Sequence, residues 1–444
     1  MKNYRRNQKK AQELADQLEQ FVTPLLILLD KFLDKRLVQT FQRTLVAILT
    51  FRHSLYGLLL SELGGYILSP DQAPAGTKRL SNLLRSNKWG YWLIERFLWR
   101  KATEFITQQA ENGQVALVLW DESVIEKSES VELEGLCAVR SSKASRLKRI
   151  KRGFYNPPTN RPIFVPGMQW LTLMVVGMAG YPYLATMKWW TNRGKFATQR
   201  QTVIQQMVRR CAYYWKRQVI HVGDRGFANH VWLGLMLYFN LRFVLRWQTK
   251  YHLVDAKGKR CAWHIARGKR TLDSRVVWDA RRQCYRKIGI VYIAVTHPDF
   301  PDMPLFLVVS RPGKHLKPWY LLTSEPITCL EDAWQIIFIY VRRWQIEMTY
   351  RYAKSELAIE SPRLWAWKNR IKIMMMVALV YAFLLSLLDS QFDSLRHWLL
   401  RHWCHRTGTR YQHFSIPLYR IRSALSRLWL SHPPSFLFSW KNSG

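Results

Sequence analysis

A chain of 444 residues with 68 Lys+Arg against 30 Asp+Glu carries a formal charge of +38, and 48% of it is hydrophobic. So much apolar content excludes a disordered chain, and the length suits two or three domains. An excess of positive charge this large repels itself unless an anionic partner neutralises it; nucleic acid is the usual partner, and an anionic membrane surface is the weaker alternative.

The N-terminal segment, "MKNYRRNQKKAQELADQLEQ", is charged throughout and has no apolar signal-peptide core, so secretion is not expected. Residues 1–105 alternate apolar and basic groups at helical spacing, which predicts a helical domain. It is a candidate DNA-binding module, and helical packing with solvated charges accounts for the pattern equally well. "FVTPLLILLDKFLDKRLVQTFQRTLVAIL" reads as two helices, and "SPDQAPAGTKRLSNLLRSNKW" as a broken loop entering another.

The texture then changes. "QVALVLWDES", "WLTLMVVGM" and "YLATMKWW" read as strands, "ATQRQTVIQQMVRRCAYYWKRQ" as an amphipathic helix, and "VIHVGDRGF" as a strand that stops at a glycine-flanked Asp. "ANHVWLGLMLYF" is helical and "RFVLRWQ" a strand again, so this region predicts an α/β core. From about Thr249 to Pro318 the runs alternate like strands cut by turns, as an inserted β-rich segment would. After "WYLLTSEPI" the chain turns helical to about Leu388. Its most apolar run, Met374–Leu388, falls short of a bilayer span at 15 residues and reads as a buried helix. No membrane partner is expected. The remaining tail is basic and rich in Trp and His.

Six cysteines (Cys137, Cys211, Cys261, Cys284, Cys329 and Cys404) form no CxxC pair. The cluster "HWCHRTGTRYQH" lacks a second matching half. Neither a zinc site nor a disulfide framework is signalled, and reduced thiols point to the cytoplasm. The 21 tryptophans serve a core or stack on unpaired bases, and composition does not separate these uses. A dense basic block runs from Arg140 to Gly153. Its Lys143, Arg146, Lys148 and Arg149 are candidates for phosphate contacts, with a solvated loop as the alternative.

In so acid-poor a chain, acids at the ends of apolar strands need a reason. Asp121 and Asp224 both sit there, and ligands of α/β sheets gather at the carboxyl ends of strands. Each alone could be a cap or turn residue. "IYVRRWQIEMTYRYAKSEL", Ile339–Leu357, reads as one helix holding a carboxylate, Glu347, among cations. On it Tyr340, Arg343, Glu347 and Lys354 fall within an arc of roughly 60° along about 21 Å of one face. That ridge suits a surface following a phosphate backbone, whereas an Arg343–Glu347 ion pair on a solvated helix explains only one pair. Three carboxylates in a basic chain point to Mg²⁺, which takes oxygen ligands, and two such ions can serve phosphoryl transfer on DNA.

The spacing Tyr340-x2-Arg343-x3-Glu347-x6-Lys354 resembles the YREK signature of bacterial insertion-sequence transposases of family four, which are DDE enzymes. "PWYLLTSEPITCLEDAWQIIFIYVRRWQIE" is similar to the segment leading into that signature, "LWDES" with Lys127 resembles the surroundings of the first Asp, and "VGDRGF" those of the second. The resemblance spans about Val115 to Leu388. It implies an α/β fold: an RNase H-like mixed sheet flanked by helices, with an inserted β-rich subdomain and a helical N-terminal domain. Together with the texture of the chain, which sets the ends that the resemblance covers only loosely, the expected boundaries are 1–105, a core of 106–250 and 319–390 interrupted by 251–318, and a basic region over 391–444 for dimerisation or DNA contact.

It further implies Asp121, Asp224 and Glu347 as catalytic acids coordinating two Mg²⁺ or Mn²⁺ ions. Tyr340, Arg343 and Lys354 would contact phosphates, and Trp319 would stack on a flipped base. Arg225, Trp344 and Lys127 join the expected DNA contacts. The implied activity is cut-and-paste transposition: strand cleavage, hairpin formation and opening, then transfer into target DNA. Implied partners are double-stranded DNA bearing terminal inverted repeats, target DNA and a second copy of the chain in a synaptic dimer. The expected location is the cytoplasm, on the nucleoid when bound to DNA. A metal-dependent nuclease on the same core, or a domesticated DNA-binding protein, remains the alternative.

Overall fold

The computed structural model describes residues 2–53, 55–127, 130, 132–141, 162–279, 284–313, 316–404 and 418–435. Five helices come first: α1 (Lys2–Asp30), α2 (Lys35–Thr50), α3 (Leu60–Ile67), α4 (Ala73–Arg85) and α5 (Trp92–Glu111). In α1, Ala11, Leu14, Ala15, Leu18, Val22, Leu25, Leu26 and Leu29 recur at three- and four-residue steps, and all are buried. That stripe faces the core while the charged positions face water. Asp34 starts α2, its carboxylate accepting from the Leu37 amide at 3.0 Å, as an N-cap does. The "APAG" stretch, expected in a loop, lies inside α4, because proline is tolerated in a first turn.

The strands and remaining helices follow: β1 (Ala116–Glu126), β2 (Cys137–Arg140), β3 (Phe164–Val176), β4 (Tyr183–Trp190), α6 (Arg200–Tyr214), β5 (Val219–Gly223), α7 (His230–Tyr238), β6 (Arg242–Arg246), β7 (His252–Asp255), β8 (Gly258–Cys261), α8 (Ala262–Ala266), β9 (Asp273–Asp279), β10 (Cys284–His297), β11 (Phe300–Arg311), β12 (Tyr320–Thr323), α9 (Leu330–Arg342), α10 (Trp344–Ser355), α11 (Trp367–Ser386), α12 (Asp393–Trp403) and α13 (Leu418–Ser431).

The strands form one large mixed sheet in the order β2-β3-β1-β5-β6-β12-β11-β10-β7-β8, with β4 paired to β3 and β9 to β10. β1 runs antiparallel to β3 and parallel to β5, and β5 runs parallel to β6. Each strand contributes alternate residues to two apolar layers, as a pleated strand must. From β1, Leu117 and Leu119 face the layer built with α1–α4, α9–α11 and α13, whereas Val118 and Trp120 face α6–α8; α5 feeds both layers. The segment expected as a β-rich insertion is β-rich. Its β10 and β11 continue the central sheet through β12 and share both apolar layers.

The sequence predicts one continuous helix over Ile339–Leu357, but the structure breaks it at Arg343 between α9 and α10. There the Arg343 amide bonds to the Tyr340 carbonyl (3.1 Å) and the Ile346 amide to the Arg343 carbonyl (3.1 Å), three-residue closures in place of the four-residue ladder. Arg343 keeps right-handed helical angles there, and Tyr340, Arg343 and Glu347 stay in contact across the turn. Met374–Leu388 falls largely within α11. Among the described residues this is the one helix whose length and composition would let it cross a membrane, and 83% of its most apolar window is buried inside the chain.

Candidate active site

Paired parallel strands deliver the first two acids. Trp120 of β1 lies opposite Gly223 of β5, so Asp121 and Asp224 are the next residues on neighbouring strands, which run about 4.8 Å apart. β1 continues along β3 past Asp121, whereas β5 ends at Gly223. Asp224 then caps a one-turn 3-10 helix, Arg225–Phe227, with its carboxylate accepting from the Gly226 amide at 2.7 Å. The two glycines of "GDRG" serve by size and not by unusual backbone angles. A methyl on Gly223 would stand 3.1 Å from Leu245 and 3.3 Å from Phe227, and one on Gly226 3.0 Å from the Asp224 carboxylate.

The third acid arrives on α10. The start of the preceding helix α9 is fixed by Asp332, whose carboxylate accepts from the Thr328 and Cys329 amides at 2.9 and 3.1 Å. Those bonds hold the Asp332 carboxyl well below the usual carboxylate range. At the break between α9 and α10, Arg343 points into the site. Its guanidinium lies 3.5 Å from the Asp121 carboxylate and also bonds Glu347. The Arg343–Glu347 ion pair, weighed above only as an alternative on a solvated helix, forms here as a bridge between two acids, with Arg343 only 12% exposed.

Tyr340 underlies it, its ring centre 5.7 Å from the guanidinium, and Trp319 packs edge-on against Tyr340 at 5.1 Å. Burial raises the Tyr340 hydroxyl, opposed by Arg343 and Arg246 beside it. One turn along α10 from Glu347, the Tyr350 hydroxyl donates to the Asp121 carbonyl at 2.5 Å, and Trp170 packs edge-on against the Tyr350 ring.

The electrostatics register the convergence. Burial, opposed by Arg343 and reinforced by Asp224 and Glu347, pushes the Asp121 carboxyl from 3.8 up to about 7. Burial works against the Arg343 charge, yet Tyr340, Asp121 and Glu347 outweigh it and raise its pKa. Among the described residues no three His, Cys, Asp or Glu side chains stand close enough to hold an ion as they are. Chemically the acids fit a hard divalent cation: all three offer carboxylate oxygens, and the Asp121 charge, disfavoured first by burial and then by Asp224 and Glu347, is one such an ion would stabilise.

Other expected contacts lie elsewhere. Lys127 is buried, its ammonium donating to the Glu360 and Pro362 carbonyls, the latter at 2.8 Å. It is an internal tie behind α10 and not a surface phosphate contact, because burying an ammonium demands that its hydrogens be taken up by protein. Lys354 lies 3.6 Å from Glu360. Trp319 is half-buried against Tyr340. Arg225 and Trp344 are exposed, Trp344 beside Arg343 and Glu347 in the chain. Lys143, Arg146, Lys148 and Arg149 lie outside the described residues, as does most of the "HWCHRTGTRYQH" cluster.

Sequence reasoning missed two participants. Tyr350 carried a signal, its three-residue spacing from Glu347. The bond between Glu122 and Arg200 carried none: 78 residues separate its partners.

No protein-family model and no curated protein sequence matches this chain. Among solved structures it is similar to a piggyBac transposase in a synaptic complex with hairpin DNA. The TM-score is 0.40 and the identity 16%, over 89% of this chain and 76% of that one.

Proposed function

We propose that this chain is a DNA transposase of the DDE type, in which Asp121, Asp224 and Glu347 are the catalytic acids and hold two divalent ions, Mg²⁺ or Mn²⁺. The observation that carries the reading is the register of β1 with β5, which brings Asp121 and Asp224 out side by side, together with the Arg343 bridge from Asp121 to Glu347. The +38 charge supplies the matching preference for a polyanion. We read the block β4-β3-β1-β5-β6 as the RNase H-like core. When bound, the ions would polarise the phosphodiester and supply an activated oxygen nucleophile.

The chain's own groups do the rest. Tyr350 holds the backbone at Asp121, and Tyr340 supports Arg343 from below. Arg343 shields the acids from one another and is positioned to turn to a phosphate once cations take up their charge. Arg225 and Trp344, exposed near the acids, would meet the DNA backbone and an unpaired base. The proposed partners are duplex DNA with terminal inverted repeats, target DNA and a second copy of the chain.

A nuclease that cuts without strand transfer is the second reading. It needs no grip on a hairpin, and Trp319 is half-buried against Tyr340. The test is incubation with Mg²⁺ and a duplex carrying the ends of the element that encodes the chain. Hairpin-ended product supports transposition, and cut ends without hairpins support the nuclease. Glu347→Gln, a near-isosteric loss of charge, should bind the duplex and leave it intact; normal cleavage by that variant removes Glu347 from the chemistry.

A further inference from the structure

Glu122 follows Asp121 on β1, so it projects from the opposite face of the sheet. There it meets Arg200, the first residue of α6. The guanidinium grips the carboxylate at two points: Nε lies 3.0 and 2.8 Å from the two oxygens, and Nη2 2.5 Å from the second. The same Nη2 donates to the Gly226 carbonyl at 3.1 Å, and the guanidinium lies 5.6 Å from the Phe227 ring centre. One side chain therefore ties the residue after Asp121 to the turn that Asp224 opens. Asp224 itself closes the same turn, accepting from the Gly226 amide.

A forked arginine–carboxylate contact fixes orientation as well as distance, which a lysine cannot reproduce. With side chains 35% and 25% exposed, the pair adds little to stability. Its consequence is geometric.

We propose that Glu122 and Arg200 are positioning residues that set the separation of the Asp121 and Asp224 carboxylates from the reverse face of the sheet, and so tune their affinity for a divalent cation. The inference rests on the metal-dependent reading above. Groups one step behind metal ligands change affinity by about 10- to 100-fold when removed.

The experiment measures Mn²⁺ binding to the full chain without DNA, by electron paramagnetic resonance, for wild type, Arg200→Lys, Arg200→Ala, Glu122→Gln and Asp121→Asn. Mg²⁺ titrations of DNA cleavage run alongside. Expected are melting temperatures within about 3 °C of wild type for Arg200→Lys and Glu122→Gln. Mn²⁺ affinity should fall about 10-fold or more in both, with a matching rise in the Mg²⁺ needed for half-maximal cleavage. Arg200→Ala should be at least as impaired; should it fail to fold, the two milder variants decide. If wild type binds Mn²⁺ more tightly than Asp121→Asn while Arg200→Lys and Glu122→Gln bind as wild type does, the positioning role is overturned and the site reading stands. If Asp121→Asn binds Mn²⁺ as well as wild type, both fall together.

Discussion

Replacing Asp121 by Asn should make the protein more stable, and by an amount that depends on pH. In the folded chain its carboxyl titrates near 7; an unfolded aspartate titrates near 3.8. Because the folded pKa is raised, the protonated carboxyl favours folding at low pH, and that contribution is lost as pH rises from 3.8 through about 7. Each unit of difference corresponds to about 1.4 kcal/mol. Fully ionised, Asp121 therefore costs on the order of 4 kcal/mol, and solvent reaching a side chain 14% exposed brings this to about 2–4 kcal/mol. The attraction of Arg343 is already contained in that balance.

Urea denaturation of wild type and Asp121→Asn at pH 5 and pH 8, without divalent ions, reads the difference. Asparagine should win by about 2–4 kcal/mol at pH 8 and by less than half of that at pH 5. Added Mg²⁺ should then stabilise wild type more than the variant, since binding to the folded state alone stabilises it. Equal stabilities at pH 8, or an advantage that does not shrink at pH 5, would refute the claim that burial, reinforced by Asp224 and Glu347, disfavours the Asp121 charge here.

Three further outcomes follow from the same geometry. Lys127→Met leaves the Glu360 and Pro362 carbonyls without their donor and should cost about 1–3 kcal/mol, while the salt dependence of DNA binding, measured by fluorescence anisotropy, stays unchanged. A lost phosphate contact would lower that slope by about 0.9. Gly223→Ala, pressed against Leu245 and Phe227, should cost about 1–3 kcal/mol by overpacking and reduce cleavage by displacing the Asp224 turn, read by denaturation and by product yield. His221 is fully buried, accepts from the Trp120 indole at 3.0 Å, and is pushed by burial from 6.5 down to about 3. An unfolded histidine takes a proton near 6.5, so the stability this residue confers is present above 6.5 and is lost as pH falls toward 3. Between pH 7 and 5 wild type should lose about 2 kcal/mol more than His221→Gln in urea titrations, and parallel losses would sink the assignment.

The end of β5 was legible because its apolar run stops at an acid, whereas β1, expected to stop at Asp121, runs on to Glu126 because its pairing with β3 continues past that acid. The strands of residues 249–318 were legible because their runs alternate and are cut by turns. That they extend the central sheet was not, since it depends on β12 returning beside β6 from far along the chain. The break at Arg343 left no trace, because Ile339–Leu357 contains neither glycine nor proline and the distortion is made by local backbone closures. The resemblance places Lys127 among the DNA contacts, and sequence alone does not reveal which carbonyls a lysine will meet. Glu122 went unnoticed beside the more prominent Asp121, its partner being set by tertiary packing.

The apolar helix α11 has a bearing on how the chain comes into being. Its surroundings include α2, α4, α5 and β4, all made earlier on the ribosome than α11 itself. A cradle can therefore be waiting when this greasy segment emerges, whereas a truncated or slowly folding front half would leave it naked to chaperones, to neighbouring nascent chains and to the insertion machinery of lipid bilayers.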